Sequence, residues 1–94
     1  MSEPGPANAS RLVAVFDSIH LVLVAEGAFK ERSIGCDLIP VPKELSADCG
    51  MALEFREEDL QAARPVLADA RVQRCRLFRR TETGHESVEG WNAG

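Results

Sequence analysis

The 94-residue sequence has no tyrosine, a single tryptophan and only four phenylalanines. So few rings exclude a core built mainly on aromatic packing, so Leu, Val, Ile and Ala must fill it. They also argue against a nucleic-acid-binding sheet, which stacks bases on interleaved aromatics. Near the one basic stretch only Phe78 is available. Excess positive charge is missing as well: the net charge is −4, so the chain as a whole has no attraction for a polyanion. No apolar run exceeds five residues, far short of the ~20 that a membrane-spanning helix needs. Residues 1–10 lack the apolar stretch of a secretory signal. Cysteine is sparse, at positions 36, 49 and 75, an odd number with no C-x-x-C pair and no zinc-type spacing. The two histidines, His20 and His85, stand far apart. These absences leave a cytoplasmic protein with reduced thiols, no metal and no other cofactor.

What is present reads as one small domain. Residues 1–10, with Pro4, Gly5 and Pro6, are expected to be a disordered arm. Residues 11–16 read as a central strand, apolar on both faces: Leu12, Ala14 and Phe16 on one, Val13 and Val15 on the other. Asp17 or Ser18 is a good N-cap for a helix running to about residue 32, with Val22, Ala25 and Phe29 at helical spacing. Ser33 and Gly35 end it. Residues 36–39 read as a short strand closed by Pro40, which favours an edge. Residues 51–56 alternate cleanly, with Met51, Leu53 and Phe55 inward. Glu57, Glu58 and Asp59 open a second helix whose stripe is Leu60, Ala63, Leu67 and Ala70, interrupted by Pro65. Residues 72–80 read as a fourth, Arg-rich strand. The five arginines of 71–80, with no acid among them, suit a solvated edge. Residues 81–94 have no period and read as a disordered tail containing His85 and Trp91.

The order β-α-β-β-α-β fits the ferredoxin-like split β-α-β sandwich, an α+β fold. Its domain would span residues 11–80, with an antiparallel sheet in the order 4-1-3-2 and both helices on one face. The other face would carry Val13, Val15, Ala52 and Glu54. Being half apolar, it leaves room for a homodimer.

The most informative stretch runs from Leu38 to Phe55. Pro40 and Pro42 stop regular pairing, and Gly50 precedes the next strand, so Cys49 sits on a stiff loop at a strand mouth. In this topology the end of the first strand meets the start of the third, bringing Ser18, His20, Cys49 and Gly50 together. A helix N-terminus and a protonated His20 both favour a thiolate. Lys43 would add to this, while Glu44 and Asp48 would oppose it. Each residue also has a plainer role. A lone cysteine is often a buried small hydrophobe. Ser18 is accounted for as an N-cap, and His20 as a surface residue of the first helical turn. Cys36 and Cys75 fall on strands, on opposite edges of this sheet, and read as fillers.

These residues resemble a known family, the small selenium/sulfur (Se/S) carrier protein-like domain. The resemblance covers about residues 11–80. It rests on Phe16-Asp17-Ser18-Ile19-His20, Ala25-Glu26, Leu38-Ile39-Pro40-Val41-Pro42-Lys43-Glu44-Leu45-Ser46 and Cys49-Gly50-Met51-Ala52-Leu53-Glu54-Phe55. Lys43 stands where the family usually has Arg, and Val24 and Gly27 replace more polar residues. The resemblance implies a carrier in which Cys49 holds a persulfide or perselenide, passed between protein partners of sulfur and selenium trafficking. His20, Ser18 and the Gly50 amide would support the anion. Such a protein moves a chalcogen without turning over a substrate of its own. The alternative is a non-catalytic ferredoxin-like regulatory or interaction module. The discriminating feature is a low-pKa, accessible Cys49, which a carrier needs and a module does not.

Overall fold

Strand β1, Arg11–Val15, lies in the middle of the sheet. Leu12, Val13, Ala14 and Val15 are all fully buried, so both of its faces are covered. The computed structural model describes residues 10–45, 50–68 and 75–88. Helix α1, Ile19–Glu31, follows β1 and buries Val22, Ala25 and Phe29. Strand β2, Asp37–Pro40, and strand β3, Met51–Arg56, come next. A single 3₁₀ turn, Glu57–Asp59, then leads into helix α2, Leu60–Leu67. Pro65 is on the exposed side of α2, which buries Ala63, Val66 and Leu67. Strands β4, Arg76–Thr81, and β5, Gly84–Ser87, form a hairpin around Glu82 and Thr83.

All five strands belong to one antiparallel sheet in the order β2-β3-β1-β4-β5. Under the helices, Leu12, Ala14 and Phe16 join Leu53, Phe55 and Leu77 with Phe29 and Leu67 in the main core. The Phe29 and Phe55 rings meet edge to face, centroids 5.2 Å apart and planes at 64°. This is a favoured aromatic geometry, because the ring edge is positive and the face negative.

The ferredoxin-like sandwich with a four-stranded sheet in the order 4-1-3-2 is thus corrected. The sheet has five strands, in the order 2-3-1-4-5. The difference arises beyond residue 80, in residues expected to be tail. There Gly84 has φ +152° and closes the β4–β5 hairpin, because a glycine tolerates that backbone and other residues rarely do. The Arg-rich strand β4 is consequently an inner strand, not an edge. Arg79 is held by Glu57 and by Glu86 of β5, with Nε 2.9 Å from Glu57 Oε1 and Nη1 3.1 Å from Glu86 Oε2. Residues 1–9 of the expected arm 1–10, residues 69–74, with Ala70 and the start of the expected fourth strand, and Trp91 lie outside the described residues.

The second sheet face is not open either. Residues 41–45, after β2, turn back over it. The turn is closed by the Leu45 N–H donating to the Pro42 carbonyl at 2.9 Å. Leu45 is buried against Val13, Val15 and Ala52, with Ile39, Val41 and Phe78 packed around them. A second, smaller core therefore covers the residues expected to face a dimer mate. Its polar border is Glu54, 8% exposed, with Arg11 Nη1 3.6 Å from Oε1 and the Arg80 guanidinium against Oε2. That second contact lacks hydrogen-bond angles, so Oε2 is charge-paired without being hydrogen-bonded.

Helix α1 ends with Ser33 at φ +60°, in the left-handed region. The Ser33 N–H donates to Lys30 O at 3.0 Å and the Ile34 N–H to Phe29 O at 2.9 Å, the paired bonds of a Schellman cap. Ile34 then enters the core. Left-handed backbone is unfavourable for a residue with a Cβ, by roughly 1–2 kcal/mol. Ser33→Gly removes that strain but adds freedom to the unfolded chain. The expected net gain is about 0.5–1 kcal/mol, read as a higher urea midpoint at unchanged slope.

Candidate functional site

Ser18 adopts extended backbone, φ −149° and ψ 158°, and its Oγ accepts from the Leu21 N–H at 3.3 Å. It is the N-cap of α1, as its residue type favours. His20 sits exposed in the first turn of the helix. The first N–H groups of any helix have no intrahelical acceptor, and they carry the positive end of its dipole.

Gly50 reaches the same end of the sheet from the other direction. The β1–β3 register pairs Val15 with Ala52, so the chain leaving β1 toward Ser18 runs beside the chain entering β3 from Gly50. Gly50 has φ +79°, which a side chain would strain, and its carbonyl accepts from the Val41 N–H at 3.1 Å. That bond closes the base of the β2–β3 loop. Ser18, His20 and Gly50 are thus gathered at one end of β1 and β3. Cys49, the remaining residue of the expected cluster, lies outside the described residues, with Ser46, Ala47 and Asp48.

The other two thiols are placed differently. Cys36 immediately precedes β2, at the opposite end of the sheet from Gly50. It lines a cleft of about 300 Å³ with Arg11, Asp37, Glu54 and Arg56. Burial pushes its thiol above the ordinary value, Glu26 and Asp37 push it further, and Lys30 opposes them. A thiol held protonated is a poor nucleophile. Cys75 is buried in the main core, just before β4, and so is not on an edge strand. Among the described residues no disulfide forms and no group of His, Cys, Asp and Glu has a metal-binding arrangement. No described helix is long and apolar enough to cross a membrane.

Glu57 also carries a pH signature. Its hydrogen bonds to Arg79 hold its carboxyl below the ordinary 4.5, against the opposing effect of burial. A carboxyl whose folded pKa is depressed contributes stability above its unfolded pKa and loses it as pH falls through the folded one. Acid unfolding of Arg79→Gln, followed by circular dichroism, should therefore show a weaker pH dependence below about pH 4.5 than the wild type.

A family model described as "Putative Se/S carrier protein-like" matches residues 11–78. The chain belongs to that family. No curated protein and no solved structure matches it. The Se/S carrier match takes in Ser18, His20, Cys49 and Gly50, and it ends inside β4. Strand β5 and His85 lie beyond it.

Sequence reasoning missed one contact entirely. Glu44 in the β2–β3 loop and His85 on β5 meet with Nδ1 2.6 Å from Oε2. The available signal was Glu82-Thr83-Gly84 directly after the expected Arg-rich strand, a hairpin pattern hidden by the polar residues around it.

Proposed function

We propose that this protein is a carrier that accepts sulfur or selenium on Cys49 and hands it to a partner protein. The observation that carries the reading is the family match over residues 11–78, which includes the Cys49-Gly50 block. The chemistry needs one nucleophile. The Cys49 thiolate attacks the outer sulfur of a donor persulfide, a new S–S bond forms, and the donor's S–S bond breaks. The donor cysteine leaves as a thiolate, so no external oxidant is required. Transfer onward is the same exchange with an acceptor thiol.

The arrangement around Gly50 supports this role. The N-terminus of α1, capped by Ser18, and an imidazolium at His20 would both favour an anion on the neighbouring residue. Cys36, its thiol pushed up, is the weaker competitor. Ile19 and Leu23, one turn apart on α1 and 44% and 49% exposed, flank His20 and give a donor protein an apolar face to dock on. The reading places the protein in the cytoplasm, where thiols stay reduced, and makes it a carrier, not a turnover enzyme.

The test is mass spectrometry after incubation with a persulfide-loaded cysteine desulfurase. Wild-type protein should gain one sulfur atom on the peptide containing Cys49. Cys49→Ser should gain none, while Cys36→Ser should load as the wild type does. Loading on Cys36 or Cys75 instead would overturn the assignment. Stable binding to the desulfurase without any sulfur uptake would favour a non-catalytic interaction module.

A further inference from the structure

Residues 41–45 leave β2 at one edge of the sheet, and β5 forms the other edge, yet the two meet on the second sheet face. Arg80 and His85 are register partners, and Phe78, two residues before Arg80, packs in the second core. His85 therefore lies on the face that residues 41–45 cover. There its Nδ1 is 2.6 Å from Glu44 Oε2. Two separate features are fitted to this contact. The His85 side chain is only 8% exposed, although the residue as a whole is more open, so the ring is tucked inward to the carboxylate. A Cβ at Gly84 would stand 3.0 Å from Glu44 Oε2, so the residue beside His85 leaves the carboxylate its space.

Residues 41–45 have few other attachments. The Val41 N–H donates to Gly50 O at 3.1 Å, at the base, and the Leu45 N–H donates to Pro42 O at 2.9 Å, inside the segment itself. Beyond Val41, its described attachments to the sheet are the Leu45 side chain, buried on Val13, Val15 and Ala52, and the Glu44–His85 contact. That contact is a directed one. The bond to His85 holds the Glu44 carboxyl below its ordinary range, so at neutral pH the carboxylate accepts and Nδ1 donates. The core that the segment closes is separated from the main one by the sheet: Val13 and Val15 face it, while Leu12 and Ala14 face the helices. Lifting residues 41–45 would bare one face without opening the other.

We infer that residues 41–45 are a strap over the second sheet face, latched by Glu44 and His85, and that the strap opens as a unit while the main core stays folded. The inference goes beyond the carrier reading and does not depend on it. A segment held by few apolar contacts opens at a lower free energy than the core. Pro40 and Pro42 fix φ at its start, which lets it swing as a piece. The latch comes from outside residues 11–78, the part that the family model matches: β5 brings His85 to Glu44. Any molecule that seats on Val13 and Val15 must first displace Leu45, so the strength of the latch sets access to that face.

The experiment uses the full chain, the single variants Glu44→Ala, His85→Leu and His85→Asn, and the double variant Glu44→Ala/His85→Leu. Asn keeps an N–H donor close to the position of Nδ1, and Leu keeps bulk without the donor. Amide exchange is followed by NMR at several urea concentrations below the unfolding transition. The Leu45 N–H reports the strap, and the slowest amides of β1 report opening of the whole molecule. In the wild type, the Leu45 protection factor should be at least about tenfold smaller than theirs and should depend far less on urea, because a local opening exposes little surface. Glu44→Ala and His85→Leu should each lower the Leu45 factor by about fivefold. The double variant should fall no further than either single one, since both remove the same contact. His85→Asn should stay within about twofold of the wild type. Glu44 is half exposed, so its removal leaves both cores intact and decides the matter even if His85→Leu fails to fold. A Leu45 amide with the protection factor and urea slope of β1 would sink the strap, because it would open only with the whole molecule. Unchanged Leu45 exchange in Glu44→Ala would sink the latch. So would two single effects that multiply in the double variant, or a His85→Asn that behaves as His85→Leu, because the two side chains would then act through packing alone.

Discussion

Phe55→Ala is expected to lower the stability of the folded protein by about 3–5 kcal/mol, the usual range for emptying a large buried aromatic site. Phe55 is 1% exposed in the main core, and its ring packs against the Phe29 ring at 5.2 Å. The change removes the transfer energy of the ring and leaves a cavity between β3 and α1 that the sheet is too stiff to close. Small domains have only about 5–15 kcal/mol in total, so the variant should be marginal or unfolded at 37 °C. Urea unfolding followed by far-UV circular dichroism measures it. A loss below about 1 kcal/mol would show that Phe55 does not support the core as its burial indicates.

The second large effect is expected on the opposite face. Leu45→Ala should be destabilising by about 2 kcal/mol, the low end for a leucine, because this one sits on a loop. Leu45 is 8% exposed and packs on Val13, Val15 and Ala52. Truncating it also bares apolar strand residues that the wild type covers with its own chain, and such patches invite association. Two readouts should change together: the urea midpoint falls, and sedimentation shows more concentration-dependent association than in the wild type. A midpoint shift under about 0.5 kcal/mol would mean that the second core contributes nothing beyond surface contacts.

The parts of the fold legible in the sequence are those with a strong period. Val22, Ala25 and Phe29 mark the buried stripe of α1, and Leu53 and Phe55 the inward face of β3, because spacing alone tells a face from its reverse. Gly50 was legible as a special backbone position and has a positive φ. What escaped was set by contacts between remote segments. Residues 84–87 are polar and short, and they form a strand only because β4 offers an unpaired edge next to them. The covering of Val13 and Val15 was equally hidden. It depends on where two prolines send the chain after β2, which no local pattern states. Of the site, the gathering of Ser18, His20 and Gly50 follows from two strands being antiparallel neighbours. The Glu44–His85 contact follows from nothing short of the whole sheet.

The central place of β1 governs how the chain must be made. Leu12 pairs with Arg79 and Val15 with Arg76, which leave the ribosome only after β3 and α2 have emerged. Until then β1 can pair with β3 alone, and its other edge, flanked by Leu12, Ala14 and Phe16, has no neighbour. An unpaired edge beside apolar side chains is a template for another chain. Nascent copies on one messenger should therefore be most prone to stick to each other in the interval before β4 emerges. Slowing synthesis between β3 and β4 would lengthen that interval and lower the yield of soluble protein without altering a single residue.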